Sequence, residues 1–269
     1  MKIKMNMKSK ETEFTRLVGI MDELREKCPW DQKQTMESLR ALTIEEMYEL
    51  SDAIIEKDAQ KIKKELGDLL LHIVFYAKIA DEKKQFDLQG VMESLCEKLI
   101  YRHPHIYGDV KVENEHQVKE NWEKLKLKEK QSEMGGGFRS VLAGVPSALP
   151  ALVKSWRVQE KARAVGFDWE KPEQVWEKVE EEIRELKAEL ATRNLERIES
   201  EIGDVFFALV NYSRLVGVNP EDALERTNKK FIKRFQYMEK ALADEKRDML
   251  KMSLSEMDEY WEKSKEIYR

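Results

Sequence analysis

Cysteine is nearly missing from this chain: it has 2, Cys28 and Cys96, far apart. That excludes a disulfide framework and a thiolate metal site. Proline (6) and glycine (11) are scarce in 269 residues, so long uninterrupted helices are allowed. No stretch approaches the roughly 18 apolar residues of a membrane span. The first ten residues, MKIKMNMKSK, carry four lysines but lack the apolar run of a signal peptide, which predicts a cytoplasmic protein. There is no Walker-type glycine-rich loop and no dinucleotide fingerprint. Histidine is rare as well: His72, His103, His105 and His116 point to structural or local roles rather than a zinc site. A di-iron bundle would want Glu-x-x-His in its ligand helices, and they have none. A net charge of -5 gives no bulk attraction to a nucleic acid polymer, although local basic clusters can still hold a small anion.

What the chain has in abundance is charge, 38% of residues, beside 41% apolar ones. That mixture suits a helical globular protein. Apolar spacing predicts helices over about 11–27, 36–57, 60–82 and 88–102, then a charged helical stretch to about 130. In the second half it predicts helices over about 150–164, 172–191, 194–216, 220–243 and 255–267. Pro29 ends the first, Pro172 starts the sixth, and Gly217 stops the seventh. No alternating strand pattern appears. Gly135-Gly136-Gly137 is the strongest break. The expected organisation is an all-α tandem duplication: a domain over 11–132, a Gly-rich linker over 133–145, and a domain over 146–269.

The duplication rests on repeated spacing. Glu46-x-x-Glu49 recurs 136 residues on as Glu182-x-x-Glu185, and Glu65-x-x-Asp68 recurs at the same shift as Glu201-x-x-Asp204. Lys98 and Arg102 are matched by Lys230 and Arg234, and Trp122 and Lys126 by Trp261 and Lys265.

Acids at i and i+3 share a helix face. Two such helices joined by a short connection pack as antiparallel neighbours, which brings four carboxylates together. Such a cluster repels itself unless a cation joins it, and hard oxygen ligands suit Mg²⁺. A lone Glu-x-x-Glu is ordinarily a solvated helix face; the repeat is what argues for metal. Gly67 and Gly203, beside the acids, predict close helix packing or room for a ligand. Glu45 and Glu181 lie about 100° off the ligand direction and are read as flanking residues. Lys-x-x-x-Arg and Trp-x-x-x-Lys put each pair on one face, where the cations suit phosphates and the Trp can stack on a nucleoside or simply pack. Apolar residues over 66–79 and 202–216 exceed what one core needs.

Taken in order, these motifs resemble the MazG family of nucleoside triphosphate pyrophosphohydrolases in its long, two-domain bacterial form. Cys28-Pro29-Trp30-Asp31, Arg102-His103-Pro104-His105 and Val165-Gly166-Phe167-Asp168-Trp169 add to the match. The resemblance implies an all-α fold forming helix-bundle homodimers. It implies Mg²⁺ on Glu46, Glu49, Glu65 and Asp68, and on Glu182, Glu185, Glu201 and Asp204. It implies hydrolysis of NTPs and dNTPs at the α-β linkage to monophosphate and pyrophosphate by metal-activated water, in nucleotide-pool housecleaning. The second copy is the expected catalyst. Glu182, Glu185, Glu201, Asp204, Lys230 and Arg234 are its catalytic set, and Trp261 and Lys265 help hold the substrate. Lys98, Arg102, Trp122 and Lys126 would bind it in the first. Two alternatives stand: a Mg²⁺ phosphohydrolase releasing orthophosphate, and a noncatalytic nucleotide-binding regulator.

Overall fold

The computed structural model describes residues 7–114, 117–118, 121–122, 125–126, 129 and 140–268, with backbone alone for 7–11. His116 and the Gly135-Gly137 break lie outside them. Every regular element among the described residues is helical. The chain divides into two compact units between Gln117 and Val118.

In the first unit, α1 runs Met7–Lys27, a 3-10 turn covers Asp31–Lys33, and α2 runs Met36–Glu56. α3 follows over Ala59–Glu82, α4 over Leu88–Arg102 and the short α5 over Pro104–Tyr107. Only α5 and the 3-10 turn escape the apolar periodicity, because single turns carry no period. In the second unit, α6 is Ala151–Arg163, α7 Pro172–Thr192 and α8 Leu195–Leu215. α9 is Pro220–Asp244 and α10 Leu254–Ile267, with a 3-10 turn at Met249–Lys251 between them.

The helix ends have local causes. Thr35 and Ser38 form a reciprocal capping box at the start of α2. The hairpin turn is built the same way twice. Lys57 adopts the left-handed region (φ 58°) and Asp58 caps α3 through Gln60 N and Lys61 N; Arg193 (φ 57°) and Asn194 repeat this at α8. Two-residue turns fold α2 onto α3 and α7 onto α8 as antiparallel hairpins. Gly217, at φ 74°, lies just beyond α8, where a left-handed residue satisfies the last carbonyls.

The first core gathers Met21, Leu39, Val74, Phe75 and Ile79 from α1, α2 and α3. The second unit buries Val175, Val179, Ala208 and Val210 where α6, α7 and α8 meet. Met238, Leu242 and Tyr260 close the α9–α10 pair. Many periodic apolar residues stay outside both cores. Met47, Ile54, Leu66, Leu70 and Ile73 are exposed in the first unit, and Ile202, Phe206 and Leu209 in the second. Nor is either helix crowded at its glycine: a Cβ at Gly67 or Gly203 would meet nothing within 4 Å. Close helix packing within the chain is therefore not why they are glycine; open space remains beside the acids. No helix among the described residues is long and apolar enough to cross a membrane.

Candidate metal and nucleotide site

The hairpins bring three acids of each set of four together. In the first unit, oxygens of Glu46, Glu49 and Glu65 lie within 4.8 Å of one another. In the second, Glu182, Glu201 and Asp204 do the same. The remaining acids are near as well. Burial raises the Glu46 carboxyl above its usual range, and the charges of Asp68, Glu49 and Glu65 push it further. Burial likewise raises Glu201, helped by Glu185, Asp204, Glu182 and Glu189.

Both clusters are short of positive charge. Glu65 and Glu182 are buried, at 5% and 7% exposure. Glu46 Oε2 and Glu201 Oε2 are each buried without a hydrogen-bond partner. Orphaned carboxylate oxygens among other carboxylates fit a hard divalent cation.

Each cluster also has one lysine, from unrelated positions. Lys64 Nζ lies 3.0 Å from Glu65, 3.4 Å from Asp68 and 3.9 Å from Glu49. Lys178 Nζ lies 2.7 Å from Glu182 and 2.8 Å from Glu181, which raise its pKa. At the repeated positions stand Ser200 and Leu42. These ammonium groups supply part of the charge the acids need. The sequence signal was present, Lys178 being four residues before Glu182, but such pairs are common on helix surfaces.

The two clusters differ in what lies beside them. A cavity of about 780 Å³ opens against Glu182 and Asp204. Its walls come from α6, α7, α8 and the Val165-Trp169 turn, and include Gln159, Ala208, Asn211 and Arg214. In the first unit the positions of Ala208 and Asn211 are held by His72 and Phe75, both buried. Two larger side chains there take up room that the second unit leaves open. Burial lowers the His72 pKa despite nearby Asp68.

The turn that edges the cavity is tied down by an ion pair to a buried arginine. Arg214, 8% exposed, grips Asp168 with two guanidinium nitrogens, and Nε and Nη2 also donate to Asn211 Oδ1 at 3.3 and 2.8 Å. In the first unit Arg25 does a different job, bridging Glu82 to the carbonyls of Asp31 and Gln34. Gln159, Asn211 and Arg214 carried no signal of their own in the sequence.

The basic and aromatic residues assemble partly. Arg234 sits 5.8 Å over the Trp261 ring, which also packs on Phe231 at 5.0 Å. Arg234 donates to Tyr268 O at 2.9 and 2.7 Å. Lys265 pairs with Glu262, and Lys230 is half-buried on α9. Lys126 lies 5.6 Å from the Trp122 ring, past the division at Gln117. Lys98 is exposed and Arg102 half-buried on α4.

The MazG nucleotide pyrophosphohydrolase domain matches twice, over residues 34–107 and 170–238. Each match spans one acid hairpin. The nucleoside triphosphate pyrophosphohydrolase/pyrophosphatase MazG of Thermotoga maritima is 44% identical over 254 residues, 94% of this chain and 95% of that protein. The nucleoside triphosphate pyrophosphohydrolase of Escherichia coli K12 is 38% identical over 258 residues, 94% and 97% of the two chains. YabN of Bacillus subtilis is 43% identical over 260 residues, 96% of this chain but 52% of its own length. Two matched domains, each folded around its own carboxylate cluster, make this chain a member of the MazG nucleotide pyrophosphohydrolase family.

Proposed function

We propose that the chain hydrolyses nucleoside triphosphates, ribo and deoxy, to the monophosphate and pyrophosphate, with Mg²⁺ held by Glu182, Glu185, Glu201 and Asp204. The observation that carries this is the second cluster's placement. Carboxylates with an orphaned buried oxygen stand at the edge of a cavity of nucleotide-pocket size. The relatives' names support the reaction. Mg²⁺ at such a site neutralises phosphate charge and lowers the pKa of coordinated water.

The chain's own residues supply the rest. Lys178 shields Glu182 and is poised to follow a phosphate oxygen once a metal takes the acids. Lys230, Arg234 and Lys265 are assigned to the polyphosphate. Trp261, already packed against Phe231 and Arg234, is assigned to pack beside the nucleoside. Glu46, Glu49, Glu65 and Asp68 are assigned to a second Mg²⁺ site, with Lys98 and Arg102 as its phosphate contacts. His72 and Phe75 in place of Ala208 and Asn211 make that copy the weaker catalyst.

The exposed apolar faces of α3 and α8, Leu66, Leu70 and Ile73 and then Ile202, Phe206 and Leu209, support a homodimer. A cytoplasmic protein that clears unwanted nucleotides fits the substrate class. Product analysis with Mg²⁺ tests the reading: pyrophosphate is expected, and orthophosphate from the same substrates would overturn it. Glu201→Gln should remove most turnover while Glu65→Gln leaves most of it; the reverse pattern would move the active copy to the first unit.

A further inference from the structure

We infer that Gln159 reads the substrate's base: its Oε1 accepts a hydrogen bond from a ring-edge N–H inside the second unit's cavity. The inference deepens the function proposed above and rests on it for the triphosphate part of the ligand.

Gln159 lies on α6 at 6% exposure and lines the same cavity as Glu182 and Asp204. Its amide is not free to turn over. Nε2 donates to Phe207 O at 2.9 Å and to Ser155 Oγ at 3.3 Å. A backbone carbonyl only accepts, so the nitrogen must face Phe207, and the oxygen is the other end. That Oε1 is buried with no hydrogen-bond partner. Buried acceptors in native proteins are met, and Gln159 lines a cavity whose occupant can bring the missing donor.

The Asn211 acceptor and the Arg214 guanidinium at this end are already engaged. Asn211 Oδ1 takes two bonds from Arg214, and Arg214 is locked onto Asp168. Much of the remaining wall is apolar, with Val158, Ala162, Val175, Phe207 and Ala208. A flat aromatic ring suits such walls, and one fixed acceptor suits its N–H edge. The acids at the cavity's edge belong to the phosphate end. At the positions that repeat Ala208 and Asn211, the first unit buries His72 and Phe75 instead.

The test uses the full chain with Mg²⁺ and three substrate pairs. ATP is set against purine ribonucleoside triphosphate, CTP against the pyrimidin-2-one analogue, and UTP against its N3-methyl form. Each analogue lacks the edge N–H. The best of the three natural substrates should exceed its analogue about tenfold in kcat/KM, mainly through KM. Gln159→Leu should bring that ratio close to one. A purely structural role would lower both members of a pair equally and leave the ratio unchanged. Equal wild-type values, or an unchanged ratio in the variant, would overturn the inference. If Gln159→Leu does not fold, as read by circular dichroism, the wild-type pairs decide alone. If no triphosphate is turned over, the activity reading fails by itself. Calorimetric binding of the same pairs then decides this one: tighter binding of the natural member supports it, and equal or absent binding overturns it.

Discussion

Replacing Glu182 with Gln separates metal binding from folding. Glu182 is the buried acid of the second cluster, 7% exposed, with Glu201 and Asp204 oxygens within 4.8 Å and Lys178 at 2.7 Å. Gln keeps the shape and removes the charge. Without metal, the variant loses its pairing with Lys178 but also one of three crowded negative charges. Lys178 keeps Glu181 at 2.8 Å and is partly solvated, so the net change is small, about 0–1 kcal/mol. With metal the difference is large. At free Mg²⁺ about 100 times the wild-type dissociation constant, binding adds about 2.7 kcal/mol. Loss of a direct ligand weakens affinity by about 100-fold or more, at least the upper end of what supporting residues cost. The variant then retains about 0.4 kcal/mol. The lost ~2 kcal/mol corresponds to roughly 5–9 °C in the melting temperature of a unit this size. Thermal melts with and without Mg²⁺ read it directly. A variant with the wild-type Mg²⁺-dependent rise would refute the assignment of Glu182 as a ligand.

Three other outcomes follow from the same geometry. Transplanting the first unit's residues, Ala208→His with Asn211→Phe, should fill the second cavity and raise KM at least tenfold. Mg²⁺-dependent stabilisation should persist, and an unchanged KM would show that substrate does not use the cavity. Arg214→Ala removes the guanidinium that holds the partly exposed Asp168 and should cost about 1.5–3 kcal/mol in denaturant melts, with Arg214→Lys recovering only part because it has no bidentate fork. The third concerns pH. Glu46 and Glu201 have raised carboxyl pKa values, so the folded state holds protons that the unfolded chain has released. Their contribution is therefore present below the ordinary carboxylate range and lost as pH rises through the raised values. In metal-free protein, the stability gained by Glu46→Gln with Glu201→Gln should grow as pH rises from about 4.5 toward neutral. A constant difference across that range would contradict it.

The sequence told most about what is periodic or repeated. Apolar spacing located the long helices because a 3.6-residue period survives many neighbours, and the acids were legible because 136 residues separate each pair from its copy. Side chains that act singly left no trace. Gln159 is oriented by its bond to Phe207 O, and that needs α6 and α8 side by side. Lys64 and Lys178 serve analogous clusters from different positions, so comparing the repeats passes over both. Core and outer face were likewise inseparable: Leu66 and Val74 share a helix and an apolar character, but Leu66 is 52% exposed and Val74 2%. Asn211 and Phe75 show the reverse case, where the difference between two copies, rather than their likeness, distinguishes an open site from a filled one.

The central claim is that the second unit's acids promote attack of water on the α-phosphorus. Hydrolysis of a triphosphate in water labelled with heavy oxygen, by the Glu65→Gln protein with Mg²⁺, tests it most directly. Mass spectrometry of the products should find the label in the nucleoside monophosphate and none in pyrophosphate, and Glu201→Gln in the same background should abolish its incorporation. Label in pyrophosphate or in orthophosphate, or incorporation that survives loss of Glu201, would contradict the account.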